Sequence, residues 1–195
     1  MKNSILIHTC CAPCFGNVYK ELLPSFDIIS FFYNPNIAPE FEYNKRLEEL
    51  RRFSRIKDFE IYIGEYDNKR WTTSIRGYRF LGERSERCWE CYRIRLEGTF
   101  RFAQKKQISM VGTVLSISPH KDADVINRIG KELAQKYGIE FFEANFKKGS
   151  GYKKAMEISK KYGFYRQNYC GCIYSKMERG KNSLWYQKSI CNRQV

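Results

Sequence analysis

Short apolar runs alternate with amphipathic stretches along most of the chain. Residues 4–9, SILIHT, form an isoleucine-rich run that predicts a buried strand. Residues 15–24, FGNVYKELLP, place Val18, Leu22 and Leu23 at helical spacing and stop at Pro24. A second buried strand is predicted over 26–36, closed by the turn signal Asn34-Pro35-Asn36. The pattern then predicts an amphipathic helix over 40–58 and a third strand over 59–67. Residues 68–98 break the alternation. They are polar, basic and aromatic, with Gly77, Gly82 and Gly98, and predict an excursion of short helices. The TFRFAQKKQ stretch closes a helix, and a fourth strand is predicted over 109–118. A helix over 121–138, a fifth strand over 139–146 and a helix over 153–162 follow, the last ending at Gly163. From Ser175 onward no period is legible.

Strands separated by helices imply a mainly parallel five-stranded sheet with right-handed crossovers, in a Rossmann-like three-layer α/β sandwich. The reading is one α/β domain over 1–195, with a basic helical excursion at 68–98 and a basic, cysteine-containing region at 147–195. In such folds ligands sit beyond the carboxyl ends of the strands. Strand 1 ends at His8-Thr9-Cys10-Cys11, strand 3 feeds the loop with Cys88 and Cys91, and strand 4 ends at Ser116–His120. Chemistry-bearing residues are thereby expected on one edge.

Composition narrows the class. With 195 residues, 43% hydrophobic and 16% aromatic, the chain can fill one core. No apolar stretch approaches the ~20 residues of a membrane span, and MKNSILIH is too short an apolar run for a secretory signal. A cytoplasmic protein without membrane contact is expected. The formal charge of +14 is unevenly spread. Residues 68–95 hold eight Lys/Arg against three Glu, with aromatics interleaved, and residues 147–188 hold eleven against two. Such surplus marks a polyanion partner, and aromatics among arginines suit unstacked bases.

Eight cysteines are many for this length, and seven fall in three clusters: Cys10, Cys11 and Cys14; Cys88 and Cys91; Cys170 and Cys172. Clustering at C-x-x-C spacing points to metal or redox chemistry rather than a disulfide scaffold. A thioredoxin-like pair leaves five thiols unused, and an all-cysteine structural zinc site leaves three. Four thiolates on an iron–sulfur cluster leave three for a second metal with one open position. Position 17 is Asn17, so the C-x3-C-x2-C pattern of radical chemistry with S-adenosylmethionine is absent. Neighbouring residues of extended chain point to opposite sides, so Cys10 and Cys11 are expected to face different metals. Cys14, near a helix start, would have its thiolate stabilised there. Cys191 stands alone near the terminus and reads as incidental.

The set HTCCAPC, CWECYRIRL, SISPHKD and YCGCIYS resembles the cobalamin-independent epoxyqueuosine reductases, the QueH family, from strand 1 to Ser175. The resemblance implies a HUP-like (nucleotide α-hydrolase-like) fold and a [4Fe–4S] cluster with an adjacent mononuclear iron. It also implies reductive removal of the epoxide oxygen of epoxyqueuosine in tRNA. The seven clustered cysteines are carried over as metal ligands, with Cys88, Cys91 and one of Cys10 and Cys11 expected on the cluster. The implied partners are a tRNA anticodon stem-loop and an unidentified electron donor, not DNA. Candidate acids are His120 and Asp122, with Asp67 and Tyr92 behind them; His120 and Asp122 fit helix capping as readily. Trp89, Tyr169 and Tyr174 flank thiols and could stack on a base or simply pack. Two other readings stay open. An iron–sulfur tRNA-thiolating enzyme would carry a Ser-Gly-Gly-x-Asp-Ser loop, where this chain has TCCAPC. A zinc-dependent RNA-binding module would need no catalysis.

Overall fold

The computed structural model describes residues 2–180; Cys191 and the rest of the C-terminal tail lie outside the described residues. Five strands form one parallel sheet: β1 (Asn3–His8), β2 (Phe26–Phe32), β3 (Glu60–Ile63), β4 (Met110–Thr113) and β5 (Glu140–Phe141). Their spatial order is β3-β2-β1-β4-β5, so β1 is central and the order reverses beside it. Every neighbouring pair is parallel, with Ile5 opposite Ile28 and Leu6 opposite Val111 in register. Among the described residues the seven helices are α1 (Ala12–Leu22), α2 (Glu40–Lys57), α3 (Asn68–Ser74), α4 (Glu86–Lys106), α5 (Ala123–Tyr137), α6 (Gly151–Lys161) and α7 (Ile173–Arg179).

The period of two along β1 divides the core. Ile5 and Ile7 face one layer, packed with Phe15 and Val18 of α1, Leu50 and Phe53 of α2, and Ala155 of α6. Leu6 faces the other, with Leu96 and Phe100 of α4 and Ile126, Ile129 and Leu133 of α5. With both faces covered, the strands read as continuous apolar runs rather than alternating ones. The expected strands match in place and order; the first keeps its length, shifted by one residue, and the other four are shorter. The fourth closes at Thr113 and passes into a 3₁₀ turn over Val114–Ile117.

Two expectations need correction. Cys88 and Cys91 are not on an excursion of short helices. Residues 68–78 do form a short helix and a 3₁₀ turn, but Glu86–Lys106 is one 21-residue helix packed on the sheet. Its buried face includes Arg87 and Arg95, which weakens the apolar period. Gly98, which reads as punctuation, lies inside α4 because the Tyr33 ring rests there: a Cβ would come 2.2 Å from Tyr33 Cε1. The second correction is α7, a single short helix in a segment without legible period. It is capped by the Cys172 sulfur, which accepts from the Ser175 N–H at 3.3 Å.

Gly151 opens α6 where a methyl would fall 1.8 Å from the Phe146 carbonyl oxygen. Gly151→Ala is therefore expected to destabilise the fold by about 1–3 kcal/mol, as overpacking does. The measurement is the midpoint of urea unfolding.

Candidate metal centre

β1 ends at His8, and the next residues turn sharply into α1. Cys11 takes extended backbone as the N-cap and Pro13 occupies the first turn, where its missing N–H costs nothing. This turn draws Cys10, Cys11 and Cys14 together, with their three sulfurs within 4.8 Å of one another. The Cys10 and Cys11 sulfurs are 3.7 Å apart. The expectation that neighbouring thiols face away from each other is thus overturned. It holds for straight strand, and the chain bends at Cys10.

Hydrogen bonds fix the floor under this turn. Thr9 donates its N–H to the Phe31 carbonyl and accepts at its own carbonyl from Asn34 Nδ2 at 2.8 Å. The buried His8 ring lies 2.9 Å from Thr113 Oγ1 through Nδ1 and 3.1 Å from the Tyr33 carbonyl through Nε2. A carbonyl only accepts, so the proton sits on Nε2. Burial, then the charge of Arg95, push His8 down to about 3, so the ring is neutral. It ties β1, β2 and β4 together at the edge where the thiols begin.

The second thiol group comes from two places. Cys88 and Cys91 lie in the first two turns of α4, and Cys170 and Cys172 flank Gly171 ahead of α7. Gly171 has φ +134°, and a Cβ there would press on Ile37 Cγ1 at 3.0 Å and Arg46 Nη1 at 3.1 Å. The CGC spacing therefore reflects a backbone only glycine takes comfortably. Arg46 donates to the Cys170 carbonyl at 3.0 Å and the Tyr169 carbonyl at 3.3 Å, while Glu42 pairs with it at 2.7 Å. The Tyr169 hydroxyl donates to the Ala38 carbonyl, so this tyrosine is an anchor of the loop. Cys170 N–H donates to Ser175 Oγ, whose hydroxyl is bonded to Glu83. Cys91 and Cys172 pack together with Trp71 and Ile75.

Both groups meet at one cavity of about 260 Å³ lined by Cys10, Cys14, Cys88, Cys170 and Cys172, with Tyr92, His120 and Lys121 among the other walls. All seven thiols are free. Gln167 reaches in from the far wall and donates to the Cys11 sulfur at 3.0 Å. Hydrogen bonds from Cys11 and Cys14, with Lys121 and Arg95 nearby, hold Cys10 well below the usual thiol range. The same sharing pushes Cys11 up to about 12. Burial pushes Cys91 up to about 12 and raises Cys88 and Cys172 as well. Two groups of soft donors at one cavity, with buried cations beside them, suit a thiophilic metal.

The candidate acids separate. His120 is exposed and lines the cavity; partial burial, then the Arg179 charge, lower its pKa. Asp122 caps α5, its Oδ1 accepting from the Asp124 and Val125 N–H groups, and it does not line the cavity. Asp67 likewise caps α3 by accepting from Arg70 N–H. Tyr92 is buried against the cavity, and burial followed by the neighbouring thiols holds its phenol above the usual range. Lys121 is the cavity residue that sequence reading passed over. A lysine between two candidate acids carries no periodic signal, yet it is only 8% exposed. Burial alone would lower its pKa, but Cys170, Cys10 and Cys14 together raise it.

The family model of the epoxyqueuosine reductase QueH matches residues 5–178. The chain belongs to the QueH family. It is 40% identical to the epoxyqueuosine reductase QueH of Thermotoga maritima, over 90% of this chain and 92% of that protein. It is 37% identical to the QueH of Haemophilus influenzae, over 92% of this chain and 74% of that one. As a QueH protein the chain is an oxidoreductase of tRNA modification. The solved U34-tRNA thiolase NcsA from Methanococcus maripaludis, with its [4Fe-4S] cluster, superposes with a TM-score of 0.52 at 13% identity. That match covers 97% of this chain and 68% of the thiolase, and it places QueH in the same α/β fold. No helix among the described residues is long and apolar enough to cross a membrane.

The Glu42–Arg46 pair, 3% and 1% exposed, holds the Cys170 loop. Glu42→Leu is expected to cost about 3–5 kcal/mol by leaving a buried guanidinium unpaired. Glu48→Leu, at an exposed pair on the same helix, should stay within about 1 kcal/mol. Paired urea-unfolding curves distinguish the two.

Proposed function

We propose that this chain removes the epoxide oxygen of epoxyqueuosine in tRNA, giving the alkene of queuosine and water at the cost of two electrons and two protons. The observation that carries this reading is the meeting of two groups of free thiols at one cavity at the carboxyl edge of the sheet, where five of the seven line the wall and Cys11 and Cys91 lie buried behind them. The donor set fits a [4Fe–4S] cluster with an adjacent iron. Cys88 and Cys91, side by side on α4, would hold the cluster together with Cys10 and Cys170, the two other cysteines near Arg95. Cys11, Cys14 and Cys172 would hold the second iron. When bound, these groups supply single electrons and a Lewis acid for the departing oxygen.

The chain's own residues do the rest. The turn at Cys10–Cys14 and the Gly171 loop both bring sulfurs to the cavity wall, and the cavity receives the modified base. His120 stands at the mouth, where its ring N–H gives a proton to the developing alkoxide. Asp122 keeps the preceding loop in place by capping α5. Tyr92 remains protonated and closes the inner wall. The anticodon stem-loop meets the basic surface over 68–95, where Arg76 and Arg79 accompany exposed Tyr78. An unidentified donor reloads the electrons. The shared fold of the tRNA thiolase favours no ATP chemistry here, since the turn after β1 offers thiols in place of glycine amides.

Anaerobic iron and sulfide analysis, joined to an assay on epoxide-bearing tRNA with a strong reductant, tests the reading. About five irons and four sulfides per chain, with turnover, are expected. Cys11→Ala should keep the sulfide and lose the fifth iron, whereas Cys88→Ala should lose the cluster. Full activity of Cys88→Ala or Cys172→Ala overturns the ligand assignment. A colourless, zinc-loaded chain would favour an RNA-binding module instead.

The acid assignment has its own test. His120→Ala is expected to lower kcat about 10²-fold. Asp122→Ala should cost about 1 kcal/mol of stability as a lost cap and leave kcat unchanged. Steady-state kinetics with unfolding curves read both.

A further inference from the structure

Three arginines of the described residues are buried almost completely: Arg46, Arg87 and Arg95, at 1%, 2% and 1% exposure. Two have the carboxylate that burial of a guanidinium demands. Arg46 pairs with Glu42 at 2.7 Å, and Arg87 with Glu178 at 2.7 Å. Arg95 has none among the described residues. Its Nη2 donates to the Asn34 side-chain oxygen at 2.7 Å, while Nε and Nη1 are buried without a hydrogen-bond partner. Asn34 is itself held by the Thr9 carbonyl, so the guanidinium is fixed directly beneath the β1–α1 turn. A neutral amide supplies no counter-charge, and a buried unpaired cation is strongly disfavoured.

What surrounds Arg95 instead is sulfur. Cys91 lies one helical turn away on α4, and Cys91, Cys10 and Cys170 are the groups that raise the guanidinium's pKa against the lowering effect of burial. These three cysteines come from three separate parts of the chain, and the two unused donors of the guanidinium they surround electrostatically are buried. A lone thiolate would satisfy one donor and one charge. A sulfur-rich anionic group held by cysteines of both thiol groups would take both.

We propose that Arg95 is a positioning residue of the metal centre: its guanidinium supplies the buried counter-charge and donates hydrogen bonds to the sulfur of the bound cluster, and so sets the cluster's reduction potential. This rests on the iron–sulfur reading above. Reduction adds a negative charge, which a nearby fixed cation favours. Lys121 contributes a second positive charge, felt by Cys170, Cys10 and Cys14. Arg95 differs from it in offering two enclosed donors of fixed direction.

The test is a redox titration of the anaerobically purified, iron-loaded protein, followed by visible absorbance and electron paramagnetic resonance. Arg95→Met should retain sulfide and move the midpoint to more negative potential, and Arg95→Lys should return most of the shift. Asn34→Asp keeps Arg95 but sets a carboxylate on it, and should move the midpoint in the same direction. That variant decides the matter if Arg95→Met does not fold or load. Loaded variants with unmoved potential overturn the role of Arg95 while leaving the iron–sulfur reading intact. A wild-type protein without iron or sulfide overturns both.

Discussion

Positive charge kept out of water beside sulfur is the constraint around which the rest of this molecule is arranged. Arg46, Arg95 and Lys121 are all buried at the carboxyl edge of the sheet. Arg46 carries its own carboxylate; the other two are faced chiefly by thiols. Such an arrangement is costly unless the sulfur side is anionic. Metal binding requires that as well, because thiolates rather than thiols are ligands. The charge pattern of the protein and the demands of the proposed cofactor therefore agree, and they agree through residues drawn from five separate parts of the chain.

The scaffold delivers those residues with little freedom. β1 is flanked on both sides, so its end cannot move without disturbing β2 and β4. His8 bridges to Thr113 and Tyr33, and Thr9 bridges to Phe31, Ser30 and Asn34. The Cys10–Cys14 turn grows from the most constrained point of the sheet. The Cys170–Cys172 loop has no strand beneath it and is secured instead by α2, through Glu42 and Arg46, and by Ala38. α4 presents Cys88 and Cys91 from the opposite layer. Three structural supports thus converge on one cavity, each with its own hydrogen bonds.

Much of this was legible from residue order. The apolar runs at 4–9 and 26–36 and the helix at 121–138 are strongly periodic, and all appear where expected. The parallel sheet followed from their alternation, and the ligand crevice at the strand ends followed from the sheet. What misled were places where a polar side chain is buried for a specific partner. Arg87 and Arg95 interrupt the apolar face of α4, so a 21-residue helix looked like an excursion. Gly98 looked like a break because nothing local announces the Tyr33 ring that needs its space. Asp122, which follows strand 4 and fits a helix cap as readily as an acid, accepts from two helix N–H groups.

By itself the sequence determined the layer order, the edge on which function sits, the number of clustered thiols and the family. These depend on local period and on motif spacing, which are properties of neighbouring residues. Packing alone settles that Cys10 and Cys11 face the same way, that Lys121 enters the cavity, and that, among the described residues, Arg95 is the deeply buried arginine without a carboxylate. Each of these is a relation between distant segments. A bend of the chain, the depth of a side chain and the absence of a partner are set by packing in three dimensions, and no spacing along the chain encodes them.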